Sequence, residues 1–264
     1  MKPVILFRSD RDTEEELDIA RQYFDVYTCR SEIPPDSLVI GRYSVLPYYT
    51  ELERDIQFNG SRLINNRYEH KWIAGFGWYE ALKDYTFRSW DDCTFSQDNH
   101  PGPFVVKGRT NSRKHQWDRL MFAKDRRAAS DLAAELSGDP LIGPQGIIYR
   151  EYVPLKTFMN GVGGVPITNE WRFFCLGSEV VSYGYYWSNV DYETFTIPDF
   201  LPGEAWQLAQ TCMSIAKEHT NAYVLDIAEK ESGGWILVEV NDLQCSGLSC
   251  NYPHHFYKNL RWSV

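Results

Sequence analysis

Long apolar runs are missing from this sequence of 264 residues, and no stretch approaches the length that a helix needs to span a bilayer. Its six cysteines are scattered and follow neither a disulfide framework nor a common zinc-binding spacing. We therefore expect no membrane partner, and free thiols in a reducing, cytoplasmic setting. The first ten residues carry only a short apolar stretch before charges return, which predicts a first strand and not a signal peptide.

An excess of positive charge is also missing. The formal net charge is −9, which argues against nucleic acid as a partner because nucleic-acid binding needs a broad positive surface. The sequence also lacks the GxxxxGK[ST] phosphate-binding loop and the Lys-x-Asp-Gly motif of adenylating ligases. A nucleic-acid ligase or kinase is therefore disfavoured, and only a local basic groove would leave that interpretation open.

The residues that are present indicate an α+β protein built from several hairpins. The predicted strands lie at 3–7, 24–29, 37–46, 102–108 and 146–155. The predicted helices lie at 10–24, 66–82, 115–136 and 204–219. The predicted hairpins lie at 170–187 and 222–242. The alternation of strand and helix near the N-terminus predicts a small α/β unit that precedes the rest of the fold.

One segment stands out against the acidic background. The stretch "KGRTNSRK", residues 107–114, holds four cations among glycine, serine, threonine and asparagine. A solvated basic loop is one interpretation. A loop that holds a compact polyanion, such as a nucleoside triphosphate, is the other.

The last hairpin carries acids where a core strand would carry apolar residues. In "GGWILVEVND", residues 233–242, a period of two places Glu239 and Asn241 on one face and the valines on the other. A two-residue turn at 232–233 or at 233–234 would put Asp226 opposite Glu239 or Asn241, and so on the same face. Such a cluster of oxygens suits Mg²⁺. A face exposed to solvent is the alternative interpretation. On either interpretation, unpaired acids would repel one another in the metal-free protein. Replacing them by amides is therefore expected to leave its stability unchanged or to raise it.

Taken in order along the chain, these segments resemble the ATP-grasp superfamily. The resemblance rests on "VVKGRTNSRK", "REYV" at 150–153, "NEWRFF" at 169–174 and the final "LD…VEVN", over roughly residues 66–250. With "GRYSVLPYY" it is more specifically similar to a divergent clade of phage and bacterial ATP-grasp proteins. That clade includes a eukaryotic cell-division-cycle protein that helps to assemble a translation initiation factor.

The resemblance implies a fold, two cofactors and a set of site residues. It implies two α+β subdomains gripping ATP and Mg²⁺, with a pre-grasp α/β unit at 1–65 and an ATP-grasp domain at 66–264. Within that domain it implies a lid subdomain at about 66–150, a hinge at 151–155 and a metal-binding core subdomain at 156–264. The implied nucleotide-binding residues are Lys107, Ser112, Arg113, Lys114, Glu151, Tyr152, Val153 and Arg172, of which Lys107 and Arg172 are also catalytic. The implied metal ligands are Asp226, Glu239 and Asn241.

One position departs from the family pattern. Many ATP-grasp enzymes place an acid for the ribose shortly after the hinge, where this sequence has Lys156 and Thr157. The residue that contacts the ribose is therefore left open.

The activity implied is that of an ATP-dependent ligase. It would join a carboxylate to an amine or other nucleophile through an acyl phosphate, giving ADP and phosphate, with small molecules or a peptide or protein as substrates. Arg42 and Arg150 are candidates for binding the acceptor carboxylate, and each could equally form a structural ion pair. A different class of function is also open: an assembly factor that binds ATP with little or no turnover.

Overall fold

The structure is a computed structural model that describes residues 1–8, 13–43, 48–188, 190, 196–198 and 200–264. The strands are β1 Lys2–Phe7, β2 Asp25–Tyr27, β3 Ser37–Arg42, β4 Arg62–Leu63, β5 Ser89–Trp90, β6 Phe104–Gly108, β7 Phe122–Ala123, β8 Ile147–Glu151, β9 Thr157–Asn160, β10 Pro166–Thr168, β11 Glu170–Leu176, β12 Glu179–Tyr185, β13 Ala222–Glu229 and β14 Trp235–Asp242. The helices are α1 Glu14–Ala20, α2 Tyr49–Gln57, α3 Arg67–Ala74, α4 Gly77–Leu82, α5 Asp92–Gln97, α6 Arg126–Ser137, α7 Gly203–Ala216 and α8 Pro253–Ser263. The predicted α+β class is confirmed. In the described part of the chain, no helix has the length and apolar character to cross a membrane.

The N-terminal sheet has the order β2-β1-β3-β4, and its strands are parallel. Val4 and Ile5, neighbours on β1, are both fully buried because each face of the sheet is covered. Val4 packs with α2, and Ile5 packs with α1 and α8. The predicted strand at 37–46 ends at Arg42, and residues 44–47 lie outside the described part of the chain.

A second sheet, which we call the lid sheet, has the order β5-β8-β6-β7 and is antiparallel. Phe104 and Val106 on β6 are fully buried in a cluster that includes residues of α6. Alternation therefore turns Val105 and Lys107 towards the opposite side of the sheet. The prediction of a helix at 115–136 was wrong for its first half, because α6 begins only at Arg126. Asp125 caps this helix, since its side chain accepts a hydrogen bond from Ala128 N–H.

A third sheet, the core sheet, has the order β12-β11-β13-β14 and is also antiparallel. Phe173, Leu225 and Val240 point to its back face, where they pack with residues of α7. The front face is apolar near Phe174, which packs against Phe256 of α8, and polar farther along. Both hairpins predicted for this region are present.

The segment predicted as the beginning of the lid packs elsewhere. Ile73 of α3 and Trp78 and Leu82 of α4 belong to the apolar cluster on the back of the core sheet. The single helix predicted at 66–82 is two helices, because Phe76 adopts a left-handed conformation with φ of 69°. The aromatic side chains of this segment explain its position, since they bury more apolar surface there than at a solvated edge.

The last hairpin has the register in which Asp226 lies opposite Glu239, but its turn is longer than predicted. The turn spans Lys230–Gly234, with Lys230 N–H donating to Gly234 O and Gly233 N–H donating to Lys230 O. A bulge at Val238 then brings Asp226 opposite Glu239, which is the register that a two-residue turn at 232–233 would give. As a result Val238 lines a cleft on the front side together with Glu239, instead of pointing back with Val240 as the simple alternation predicted.

Asn65 joins the N-terminal unit to the core sheet. It is fully buried, its Nδ2 donates to Ala222 O at 2.6 Å, and its Oδ1 accepts from Ala222 N–H at 2.9 Å. We expect Asn65→Ala to lower the free energy of unfolding by about 3 kcal/mol, because two buried backbone groups lose their partners. Urea denaturation measures this change, and Asn221→Ala, at an exposed position nearby, is the control and should change it by less than about 0.5 kcal/mol. Equal effects of the two substitutions would contradict this role for Asn65.

Candidate active site

A cleft of about 760 Å³ of open space lies between the lid sheet and the front of the core sheet. Its lining divides into a charged end, where Lys107 and Glu239 contact each other, and an apolar end. The apolar lining comes from Phe87, Val105, Met121, Tyr152, Val153, Leu155 and Val238. The charged lining comes from Lys107, Lys114, Arg150, Glu170 and Glu239. A cleft with this division suits a ligand that has a flat apolar group at one end and an anion at the other.

The predicted hinge borders the apolar end. Strand β8 ends at Glu151, and Tyr152 N–H donates to Pro103 O at 3.0 Å as the chain leaves the lid sheet. The chain then joins the core sheet, where Lys156 N–H donates to Glu229 O. Glu151, Tyr152 and Val153 all line the cleft. At the two positions after the hinge where the family acid is missing, the Lys156 ammonium pairs with Glu229 and Thr157 lines the cleft.

Lys107 and Glu239 form a buried ion pair that links the lid sheet to the core sheet. Burial lowers the pKa of Lys107 and opposes the attraction of Glu239. Burial would raise the pKa of Glu239, but the charges of Lys107, Lys114 and Arg150 outweigh it and lower that pKa to about 2. Glu239 is therefore ionised near neutral pH, and either partner of the pair can be exchanged for a ligand group of the same charge sign.

Lys114 enters the same cleft from the basic loop. Its ammonium contacts the Tyr186 hydroxyl and lies 4.2 Å from the Tyr186 ring centroid and 5.3 Å from that of Trp187. Burial opposes the charge, but Tyr186, Glu170 and Glu239 together raise the pKa of Lys114. A cation held on aromatic faces stays charged without a carboxylate bound directly to it, so it is available to an anion.

A row of charged side chains crosses the front of the core sheet, from Arg172 on β11 to Asp226 on β13 and Glu239 on β14. Arg172 binds Asp226 with both arms of its guanidinium, Nε to Oδ1 and Nη2 to Oδ2, each at 2.8 Å. Asp226 is only 1% exposed, so this pair is desolvated. The expectation of unpaired, mutually repelling acids was wrong, since Asp226 and Glu239 are each paired with a cation.

Glu170 lies on the same strand and face as Arg172, as the alternation along β11 predicts. It accepts a hydrogen bond from the Thr168 hydroxyl at 3.1 Å. Burial, supported by the charge of Asp226, raises the pKa of Glu170 from 4.5 to about 7, although Lys114 and Arg172 oppose the shift. Glu170 therefore ionises near neutral pH at the border of the cleft.

The raised pKa of Glu170 predicts a pH dependence of stability. The folded protein binds this proton more tightly than the unfolded chain, so the stability that protonated Glu170 contributes is fully present below pH 4.5 and is lost as the pH rises through about 7. Glu170→Gln removes this decline. In the absence of metal and nucleotide, the free energy of unfolding of Glu170→Gln minus that of wild type should increase by about 3 kcal/mol from pH 4.5 to pH 8. The control is Glu135→Gln, at an exposed position; parallel pH profiles for wild type and Glu170→Gln would refute the prediction.

The other predicted residues divide between the cleft and its surroundings. Ser112 lines the cleft, but Arg113 does not, since Asp139 binds both arms of its guanidinium and so anchors the basic loop. Arg42 forms a structural ion pair with Glu16 and donates to Leu243 O. Arg150 lines the cleft and donates to the carbonyl of the bulged Val238, so it supports the hairpin.

Several cleft residues had no signal in the sequence. Phe87, Trp117 and Met121 line the apolar end but come from a loop and from a π-helical turn that was predicted as regular helix. Tyr186, which holds Lys114, follows a run of tyrosines and could not be distinguished from them. Nothing in local periodicity marks such residues, because the approach of two sheets places them together.

The predicted metal ligands fit a hard cation by their chemistry. Asp226 and Glu239 are opposite one another, and Asn241 donates through Nδ2 to Asp226 Oδ2 at 3.2 Å, which turns its amide oxygen away from Asp226. Among the described residues, no three His, Cys, Asp or Glu side chains converge on one point. The protein oxygens would thus hold Mg²⁺ only together with oxygens of a ligand, which is how Mg²⁺ is usually bound.

Comparison with known proteins identifies the family. Residues 96–260 match the family described as ATP-grasp domain, R2K clade family 3. The chain belongs to this ATP-grasp family. The predicted superfamily is thereby confirmed, and the cleft between the lid and core sheets lies in the matched ATP-grasp domain. No curated protein matches the chain in sequence.

Solved structures show the same ATP-grasp fold. The D-cycloserine synthetase DcsG has a TM-score of 0.62 at 12% identity, over 98% of this chain and 99% of that one. D-alanyl-alanine synthetase A from Vibrio cholerae has a TM-score of 0.56 at 12% identity, over 99% and 93%. The ATP-grasp ligase PsnB, complexed with minimal precursor, Mg and ADP, has a TM-score of 0.59 at 8% identity, over 99% and 96%. The predicted ATP-grasp fold is confirmed along almost the whole chain.

Proposed function

We propose that this ATP-grasp protein is an ATP- and Mg²⁺-dependent ligase that joins a carboxylate to an amine through an acyl phosphate. The observation that carries the proposal is the cleft itself, where buried Lys107 of the lid sheet and half-buried Lys114 of the basic loop face Glu170 and Glu239 of the core sheet, beside the buried Arg172–Asp226 pair. Ligase relatives with the same fold support it, since DcsG, D-alanyl-alanine synthetase A and PsnB are named as synthetases or ligases.

ATP would lie with its adenine at the hinge and its phosphates at the charged end. Strand β8 ends at Glu151, and after Tyr152, whose N–H donates to Pro103 O, the backbone leaves the lid sheet and can meet the adenine edge. The apolar side chains around Tyr152 would cover the ring faces. Lys107 and Lys114 would bind the phosphates, and Ser112 would close over them. For Lys107, the phosphates would replace the attraction that it now receives from Glu239.

Binding of Lys107 to phosphate would free Glu239 for the metal. Asp226, Glu239 and Asn241 would then hold Mg²⁺ with phosphate oxygens. The bound ion would supply charge neutralisation to the triphosphate and orient its terminal group.

The chemistry would proceed in two steps. A carboxylate oxygen of the first substrate forms a bond to the γ-phosphorus, the bond to the β-γ bridging oxygen breaks, and ADP leaves. The amine of the second substrate then attacks the acyl carbon, phosphate leaves, and the amine nitrogen loses a proton. Arg172, held in place by Asp226, would stabilise charge on the transferred phosphoryl group, so no nucleophile from the protein is needed.

A binding test and a turnover test together examine the proposal. Mg·ATP should raise the thermal unfolding temperature, because a ligand selective for the folded state stabilises it. ADP should then form when pools of carboxylates and amines are added. A thermal shift without ADP in any pool would favour the assembly factor, and no thermal shift would refute both functions.

A further inference from the structure

A second cleft, which we call the α3 cleft, opens beside the proposed phosphate end. It has about 1630 Å³ of open space. One wall is formed by the start of α2 and by α3, and the other by residues 109–111 and 140–145 of the lid region. The cavity volume that compares with those of known ligand pockets is about 710 Å³, within their usual range of about 300–1,000 Å³, so the α3 cleft has the size of a ligand-binding site.

The charge of the α3 cleft is opposite to that of the protein. Arg67, Lys71 and Arg109 line it together with His70, while no aspartate or glutamate is among its described lining residues. The chain as a whole has a formal net charge of −9. Cations confined to one cleft of an acidic protein attract an acidic ligand there and repel it elsewhere.

Two buried nitrogen atoms of this cleft lack hydrogen-bond partners. In the described part of the chain only four buried side-chain polar atoms are without one, and His70 Nε2 and Arg109 Nε are two of them. His70 is 5% exposed and is fixed by Asp242, which lies 2.8 Å from Nδ1, and by stacking on Tyr49 with ring centroids 3.8 Å apart. Burying such atoms without partners is costly, which is expected where a ligand supplies the missing contacts.

The rim of the α3 cleft resembles a protein-binding surface. Tyr48 and Tyr68 line it and are 63% and 68% exposed. Arg67 lies over the Tyr68 ring, 4.7 Å from its centroid. Tyrosine and arginine are enriched at the centres of protein interfaces, and tyrosine covers a large area at little entropic cost.

Chain connectivity places this cleft next to the proposed phosphate site. Arg109 follows Lys107 by two residues on the lid side, and Asp242, the partner of His70, follows Glu239 by three residues on the core side. Lys107 and Glu239 contact each other. Two short chain segments therefore join the α3 cleft to the end of the ATP cleft at which the lid and core sheets are linked.

We propose that the α3 cleft binds an acidic peptide segment of a substrate protein, whose carboxylate is presented to the phosphates of ATP. This deepens the proposed ligase function, on which its chemical consequence rests, while the binding itself does not require turnover. We favour a peptide over a nucleic acid because the cations are confined to the α3 cleft. A long polyanion would extend beyond the cleft onto the surface of a protein whose net charge is negative.

Fluorescence anisotropy with a labelled octapeptide of alternating glutamate and glycine tests the proposal. The peptide should bind wild type, and a matched lysine–glycine peptide should not. Lys71→Glu should weaken binding about tenfold, and Lys71→Glu with Arg109→Gln should weaken it further. Lys258→Glu, the same charge change at an exposed position on α8, should alter it less than about twofold.

The outcomes separate this inference from the proposed function. The Mg·ATP thermal shift should be the same in wild type and in all three variants, so loss of peptide binding with an intact shift assigns the peptide to the α3 cleft. Equal weakening by Lys71→Glu and Lys258→Glu, or no preference for the acidic peptide, would overturn the inference. Tighter binding of a single-stranded oligonucleotide, lost in Lys71→Glu, would replace the peptide with nucleic acid. Peptide binding without any thermal shift by Mg·ATP would refute the ligase and leave the peptide site standing.

Discussion

Lys107→Met should abolish the stabilisation of the protein by Mg·ATP. At an ATP concentration about a hundred times its dissociation constant, wild type gains about 2.7 kcal/mol, which raises the unfolding temperature of a chain of this size by roughly 5–10 °C. Without the lysine, the phosphates lose a buried cation and face Glu239 directly. Differential scanning fluorimetry measures the loss.

The substitution also affects the protein without ATP. Lys107 is only 7% exposed and is paired with Glu239. Lys107→Met should therefore lower the stability of the ATP-free protein, and adding Glu239→Gln should restore most of it, because the unpaired carboxylate is neutralised. Lys124→Met, at an exposed lysine before α6, is the matched control. A full ATP-induced shift in Lys107→Met would remove Lys107 from the nucleotide site.

Arg172→Ala should produce the largest loss of stability. It leaves Asp226, 1% exposed, without the two charge-assisted hydrogen bonds that compensate its burial. Breaking a buried pair in this way costs about 3–5 kcal/mol. Guanidinium denaturation of the ATP-free protein measures the difference. Arg119→Ala, which breaks an exposed pair with Glu135, is the control and should cost less than about 1 kcal/mol.

The partner substitution shows whether burial of an unpaired charge is the cause. Arg172→Ala combined with Asp226→Ala should be more stable than Arg172→Ala alone, because no buried charge remains unpaired. An Arg172→Ala variant as stable as wild type would contradict the buried pair. In a variant that remains folded, turnover should fall more than ATP affinity, since charge on the transferred group changes most during the reaction.

The face on which the acids of the core sheet lie could be predicted, and their partners could not. Alternation along β11 and the pairing of β13 with β14 put Arg172, Asp226 and Glu239 on one face, because the period of a strand is two whatever packs on it. That Lys107 contacts Glu239 depends on the approach of two separate sheets, which local pattern does not encode. The bulge at Val238 likewise follows from the length of the turn and from the bond of Arg150 to the Val238 carbonyl.

The helix errors have a similar origin. Residues 115–136 have amphipathic character throughout, but the chain needs its first part to form β7 beside β6, and Asp125 then caps a shorter helix. At 66–82 the break at Phe76 requires a left-handed residue that is not glycine, which sequence preferences do not anticipate. The interaction of His70 with Asp242 spans 172 residues and was not predicted for the same reason.

The identity of the nucleotide product tests the proposed reaction most directly. The protein is incubated with Mg·ATP and with pools of carboxylates and amines that include acidic peptides, and the nucleotides are separated by chromatography. The account predicts ADP and phosphate in amounts equal to the ligated product, and none with Lys107→Met. AMP and pyrophosphate in those amounts would contradict attack at the γ-phosphate and the acyl-phosphate route.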